Sequence, residues 1–359
     1  MARLSREGLA DLFSLAHGRY DLLPMALAAI LAGAAAGRKQ LRLTVQVVLI
    51  GLVFFFLARA IHKDWAGITE YPWTFDLPWL LLSIVFFTIT YIGHATGWLL
   101  LLRLFKQEVP LLPAMYVWFK SLIARYVPGN VLMIVGRVMM IRPYGVPRRI
   151  SLTSIAYEQA LLGVSATIVL SIALPFWTEL REISSLIWLV LAVPPLAVIM
   201  MHPAILGRLG NFVFRLVGRE PIEEFLPLKS VLGLIVFYCL LWVTSGAALF
   251  AMARAVTDQI VLGDVPIAIA SVPLAWLVSV LFFIFPSGLG VREGIYSYTL
   301  RFAFDSEGVA SAFSILARFW QTLIEIGIVF ITMGVIKLWY EKHDHKEIEP
   351  LVPAEQEAD

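Results

Sequence analysis

Apolar runs near twenty residues, separated by short polar stretches, dominate the chain. Leu43 to Ile61 and Lys229 to Ala253 approach or exceed the roughly 20 residues an α-helix needs to cross hydrocarbon. Barrel strands would instead alternate over ten-residue segments, and that pattern is missing, so the runs read as helices. Spans are expected over 43–61, 78–102, 151–176, 184–201, 229–253, 265–285 and 309–337. Ahead of them, residues 1–21 read as an interfacial helix, with Leu4, Leu9, Leu12, Phe13 and Ala16 opposing Arg3, Arg6, Asp11 and Ser14. Leu22 to Gly37 fits a short span and a membrane-surface helix equally. Its AAA end resembles a leader cleavage site, but Arg38, Lys39 and Arg42 follow at once, and retention is expected.

Composition sharpens this picture. Hydrophobic residues make up 60% of the 359 and charged ones only 15%, where a globular domain carries about 25%. The expected fold class is an all-α integral membrane protein, a polytopic helical bundle. Three segments are expected: 1–42 amphipathic, 43–337 the membrane domain and 338–359 a polar tail. A net charge of +2 gives no reason to expect a nucleic-acid partner. Placement matters more. Lys and Arg gather in 38–42, 103–106, 142–149, 208–219 and after Lys337, while 62–77, 177–183 and 254–264 are poorer in them. The positive-inside rule then puts the first group, and the C-terminus, in the cytoplasm of a cell with this multi-pass protein in its plasma or inner membrane. The single cysteine, Cys239, excludes an intramolecular disulfide and reads as a small apolar residue.

The same loop charges require 78–102 to end, and 151–176 to start, on one side. Between them lies PAMYVWFKSLIARYVPGNVLMIVGRVM, apolar enough to enter the membrane but broken at Pro128-Gly129-Asn130. A re-entrant hairpin is the expected solution. The arithmetic repeats around FFIFPSGLGVREG, with its break at Pro286 to Gly290. Each half thus has a Pro/Gly-broken segment followed by a long helix carrying a carboxylate, Glu158 in the first and Glu325 in the second. The two read as a weak internal repeat, as in transporters built from paired halves.

Irregular backbone at membrane depth is tolerated where it lines a cavity, and the N-H groups after such a break favour an anion. The candidate lipid-phosphate-binding residues are therefore Gly129 and Asn130 at one break, Ser287, Gly288 and Gly290 at the other, and the intramembrane arginines Arg125, Arg137, Arg292 and Arg318. Arginine's planar fork suits phosphate oxygens. Glu158, Glu293 and Glu325 are expected to balance these charges, with proton coupling as their further use. Glu325 lies seven residues after Arg318, on the same helix face. Arg142, Arg148 and Arg149 are expected at the membrane surface, setting topology or meeting headgroups. Gly93 and Gly97 form a GxxxG pattern for close helix packing, internally or in a homodimer, and His94 between them reads as a packing residue. The histidines have no metal-ligand spacing, and no nucleophile-base pair can be argued, so neither metal, cofactor nor catalytic residue is expected.

SLIARYVPGNVLMIVGR, GVPRRISLTSIAYEQAL and FPSGLGVREG, in this order, resemble the recurring blocks of the lysylphosphatidylglycerol synthase transmembrane-region family, the flippase-like membrane proteins. The resemblance covers about Leu43 to Lys337. It implies an α-helical membrane domain that moves a charged phospholipid between leaflets, with other members accompanying envelope-glycan, hopanoid or polyprenyl-linked sugar pathways. The blocks fall on Tyr126, Pro128, Gly129, Asn130, Gly136 and Arg137, then Glu158, then Pro286, Gly288, Gly290, Arg292, Glu293 and Gly294. About twenty residues follow Lys337, too few for the soluble aminoacyl-transferase domain of two-domain members, so lysyl transfer is not expected.

The expectation is thus a non-enzymatic membrane lipid transporter that binds the anionic phosphate headgroup of a phospholipid or polyprenyl-linked lipid. The alternative is a non-transporting membrane partner of a glycosyltransferase or other envelope-lipid enzyme.

Overall fold

The computed structural model describes residues 58–59, 61–63, 65–124, 131–177, 226–281, 288–304 and 306–342. The chain divides into Met1–Gly51, outside the described residues, and Leu52–Asp359, to which everything below belongs. Among the described residues there are nine α-helices and no strand: α1 Trp65–Glu70, α2 Leu77–Leu104, α3 Leu111–Ile123, α4 Val131–Ile141, α5 Arg148–Ala173, α6 Leu228–Val256, α7 Val265–Leu281, α8 Val291–Phe304 and α9 Glu307–Lys342. The protein is an all-α membrane bundle. Five helices are long and apolar enough to span: α2, α5 with its terminal turn to Phe176, α6, α7 with its leading turn from Leu262, and α9. The expected spans 184–201 and, almost entirely, 43–61 lie outside the described residues, as do the expected N-terminal segment and the end of the tail.

Helix starts follow local chemistry. Asp76 caps α2 by accepting the Trp79 N-H at 3.4 Å, and Pro78 sits in the first turn, where its missing N-H costs no hydrogen bond. Helix ends run beyond the apolar runs because polar residues continue a helix readily. Arg103 fills the last turn of α2, and α9 extends to Lys342.

The most buried spans are α5 and α6, whereas α2 and α9 present the most surface outward. Leu81, Val85 and Ile89 of α2 and Phe319, Leu323, Ile326 and Phe330 of α9 are exposed large apolar side chains, as lipid-facing positions should be. Two apolar cores result. One gathers Leu161, Tyr238, Trp242, Ala270, Leu300 and Phe313, and the other Trp98, Trp118, Phe119, Ile141 and Ile324. Helix α9 contributes Phe313 to the first core and, three turns later, Ile324 to the second, so it ties them together.

Hydrophobic driving force is weak between helices surrounded by lipid tails, and close approach plus hydrogen bonds must do more. The most extensive helix pairing is α2 with α6. A β-carbon on Gly97 would stand 2.6 Å from the Tyr238 hydroxyl, and one on Gly93 would overlap Leu241. The GxxxG face is therefore filled by α6 of the same chain, the internal option of the two expected. Further clasps are Thr90 with Thr244 at 3.0 Å, the Trp242 indole N-H to Ser165 Oγ at 3.0 Å, and the Trp320 indole N-H to Ser83 Oγ at 2.9 Å. Cys239 is half-buried, with its thiol 3.8 Å from the Ser165 carbonyl.

Three helices are too short to cross alone. At 1.5 Å per residue, α3, α4 and α8 reach only about 20, 17 and 21 Å, against roughly 30 Å of hydrocarbon. Helix α3 packs on α4, and α8 on both α7 and α9. The breaks themselves, 125–130 and 282–287, lie outside the described residues.

Candidate functional site

Charged side chains in a bundle of this kind must find partners, and the two halves solve the problem in related ways. Arg137 rises from α4, the short helix after the first break, and meets Glu158 of the long helix α5. Arg137 Nη1 donates to Glu158 Oε2 at 2.5 Å, and its Nε donates to Ser121 Oγ at 3.2 Å. The other carboxylate oxygen, Oε1, accepts the Trp118 indole N-H at 3.1 Å. The guanidinium lies 5.0 Å from the Trp98 ring centre and 5.5 Å from that of Trp118, close enough for cation–π attraction. Trp98 is held in turn by its N-H to Ser154 Oγ at 3.0 Å, and His94 stacks on Trp118 at 6.2 Å. Arg137 is 3% exposed and Glu158 2%. Both carboxylate oxygens are hydrogen-bonded and the cation is enclosed, which is the condition under which a buried ion pair persists.

The second half exchanges the signs. Glu293 sits on α8, the short helix after the second break, and Arg318 on the long helix α9. The chain enters α8 through Gly288 and Gly290, at φ +67° and +83°, left-handed conformations in which glycine carries no side-chain penalty. A β-carbon on Gly288 would also lie 2.7 Å from Ser279 Oγ. This turn aims the Gly290 N-H at Glu293 Oε2, 2.7 Å away, so the carboxylate caps the helix from within its first turn. Glu293 Oε1 stands 3.3 Å from Arg318 Nε, a charge contact only, since that oxygen receives no hydrogen bond among the described residues. Glu293 is 1% exposed and Arg318 7%.

The two pairs are counterparts: arginine on the short helix and glutamate on the long one in the first half, the reverse in the second. The carboxylate in contact with Arg318 is Glu293, on the short helix. Glu325 does lie on the buried side of α9 with Arg318, but it faces a different helix and accepts the Tyr91 hydroxyl of α2 at 2.8 Å.

Of the remaining expected residues, Arg292 is half-buried in the first turn of α8, beside Gly288. Arg142, Arg148 and Arg149 are exposed, Arg142 in the turn after α4 and the other two at the start of α5. Arg125, Gly129, Asn130 and Ser287 lie outside the described residues. Sequence reasoning named the charges but missed the side chains that hold them: Trp98, Trp118, Tyr91 and Ser121. A usable signal was present, since indole N-H and phenol groups inside a span need a polar partner. One carboxylate, Glu293, both caps its helix and contacts an arginine.

Comparison with curated proteins finds no match. The family model described as the lysylphosphatidylglycerol synthase TM region matches residues 19–327, starting well before the expected Leu43 and ending ten residues before Lys337. That span includes both ion pairs, both breaks, four of the five spanning helices whole and α9 as far as Gly327. The chain therefore belongs to the lysylphosphatidylglycerol synthase transmembrane-region family.

Proposed function

We propose that this protein moves a lipid with an anionic phosphate headgroup across the plasma or inner membrane, with its C-terminus in the cytoplasm. The observation that carries the reading is the pair of buried Arg–Glu contacts, each joining the short helix after a Pro/Gly break to the next long helix. Removing two ions from water is costly, and a bundle meant only to be stable gains nothing by it over apolar packing. Charges carried on short helices that cannot span alone instead suit a site that receives a charged group. The membership in a lipid-handling membrane family and the lengths of α3, α4 and α8 support the same reading.

Both broken segments would follow re-entrant courses and meet at a wet cavity. Arg292, half-buried at the second break, would make the first contact with phosphate, backed by Arg318 and by Arg125 and Arg137 of the other half. The N-H groups around Gly129, Asn130, Ser287, Gly288 and Gly290 would add donors, while the acyl or prenyl tails stay in the membrane. Glu158, Glu293 and Glu325 balance the arginines, and their re-pairing supplies the differential affinity that alternating access requires. The transfer makes and breaks no covalent bond, so no catalytic residue or cofactor enters.

The test is reconstitution in liposomes with phosphatidylglycerol or a polyprenyl phosphate labelled in one leaflet. The wild-type protein is expected to exchange one of them, and Arg292→Ala to slow exchange by about tenfold or more, the loss of one charged hydrogen bond. Exchange undiminished in Arg292→Ala overturns the site. Failure of the wild-type protein to move either lipid overturns transport and favours a non-transporting partner of an envelope-lipid enzyme.

A further inference from the structure

The two ion pairs differ in how completely they are satisfied. Glu158 has both oxygens hydrogen-bonded, and its arginine is enclosed by Ser121 and two indole faces. Glu293 has one oxygen on the Gly290 N-H and the other in charge contact with Arg318 without a hydrogen bond. A buried carboxylate oxygen left short of donors is costly, and such groups in native proteins ask for an explanation.

Resting on the phosphate-binding reading, we infer that Glu293 is a built-in competitor of the ligand. Its carboxylate occupies the place that the headgroup phosphate takes, and the second half is the ligand-responsive one. Glu293 engages the two kinds of group that would recognise a phosphate: a backbone N-H at the start of α8 and an arginine from α9. Arg292 precedes it in the first turn of α8, with its side chain near Gly288. A phosphodiester brings acceptor oxygens in more directions than one carboxylate and can meet Arg292 and Arg318 together. Displacing Glu293 from Arg318 gives up no hydrogen bond, whereas displacing Glu158 from Arg137 gives up the 2.5 Å one. The first pair is accordingly a fixed support, and the second a latch that opens when phosphate enters. With the latch closed, the cationic site is neutralised without ligand, which keeps unpaired charge from being buried.

Glu293→Gln tests this directly. The amide keeps an acceptor for the Gly290 N-H, so the cap of α8 survives while the charge that competes for Arg318 is removed. The measurement is titration of purified full-length protein in neutral detergent with short-chain phosphatidylglycerol, and in parallel with short-chain phosphatidylcholine and inorganic phosphate. Glu293→Gln is expected to bind phosphatidylglycerol at least about tenfold tighter than the wild-type protein, with a smaller gain for phosphatidylcholine, whose phosphodiester is offset by its own quaternary ammonium. Glu158→Gln is expected to show no such gain. Adding Arg318→Gln to Glu293→Gln is expected to abolish the gain, which a merely loosened bundle would not do. Tightening by inorganic phosphate alone assigns the latch to free phosphate rather than a lipid, and overturns the lipid form of the inference. If the wild-type protein binds phosphatidylglycerol and Glu293→Gln binds it no better, the latch is wrong and the transport reading stands. If no variant binds any phosphate ligand, both are wrong.

Discussion

Removing the cation of the first ion pair should damage the fold more than removing both charges together. In Arg137→Gln the Glu158 carboxylate, 2% exposed, keeps only the Trp118 N-H of its two hydrogen bonds. Stranding a buried charge in this way costs about 3–5 kcal/mol, a figure that absorbs the lost cation–π contacts with Trp98 and Trp118. In Arg137→Gln with Glu158→Gln no charge is buried, and the new amide at 158 can still accept from Trp118. Neutral replacement of a buried pair is often close to neutral in stability. The double variant is therefore expected to be less damaged than Arg137→Gln alone, with a coupling energy of about 2–3 kcal/mol. For a chain of this size about 2 °C of Tm corresponds to 1 kcal/mol, so the single variant should melt about 6–10 °C lower. The assay is thermal unfolding in one detergent, followed by tryptophan fluorescence, on the wild type, both singles and the double. Losses that add within about 0.5 kcal/mol would refute the reasoning, because independent sites add and a shared ion pair cannot.

Other consequences can be checked with the same preparation. Gly246→Ala should destabilise by about 1–3 kcal/mol or prevent assembly, because its β-carbon would meet the backbone of Ile269, which has no rotamer to escape into; normal yield and Tm would contradict this. Gly145, at φ +80° with open space around it, should tolerate Ala at a cost of only about 1 kcal/mol from the backbone, which the Tm of Gly145→Ala measures. Tyr91→Phe removes the hydroxyl that donates to Glu325 and should cost about 1–3 kcal/mol, with a smaller further loss on adding Glu325→Gln; additive losses in Tm would dismiss that contact.

How much of this was legible in the chain varies with the distance over which the relevant force acts. Spans α2, α5, α6 and α9 could be placed to within a few residues because hydropathy and helix length are local properties. The turn into α8 was legible too, since glycine acts on its own backbone and Gly288 and Gly290 do take positive φ, whereas the break expected at Pro128-Gly129-Asn130 lies outside the described residues. Pairing was the part that could not be seen. Arg292 and Glu293 are neighbours in sequence and invite being read as a pair, yet consecutive residues of a helix point apart. Glu293 instead reaches Arg318, and Arg318 and Glu325, on one side of one helix, face different partners on α8 and α2.

The sequence by itself determined an all-helical membrane protein and the short roster of charges inside it. Those outcomes depend on transfer of side chains and backbone groups from water to hydrocarbon, a cost each segment bears wherever its neighbours lie. Only the tertiary structure decided which charge neutralises which, that the halves carry opposite arrangements, and that Glu293 both caps α8 and meets Arg318. Those outcomes depend on contacts of a few ångströms between residues 21 and 25 positions apart, set by how α4 meets α5 and α8 meets α9. A hydrophobicity pattern carries no record of that geometry, because many packings of the same helices would bury the same apolar faces.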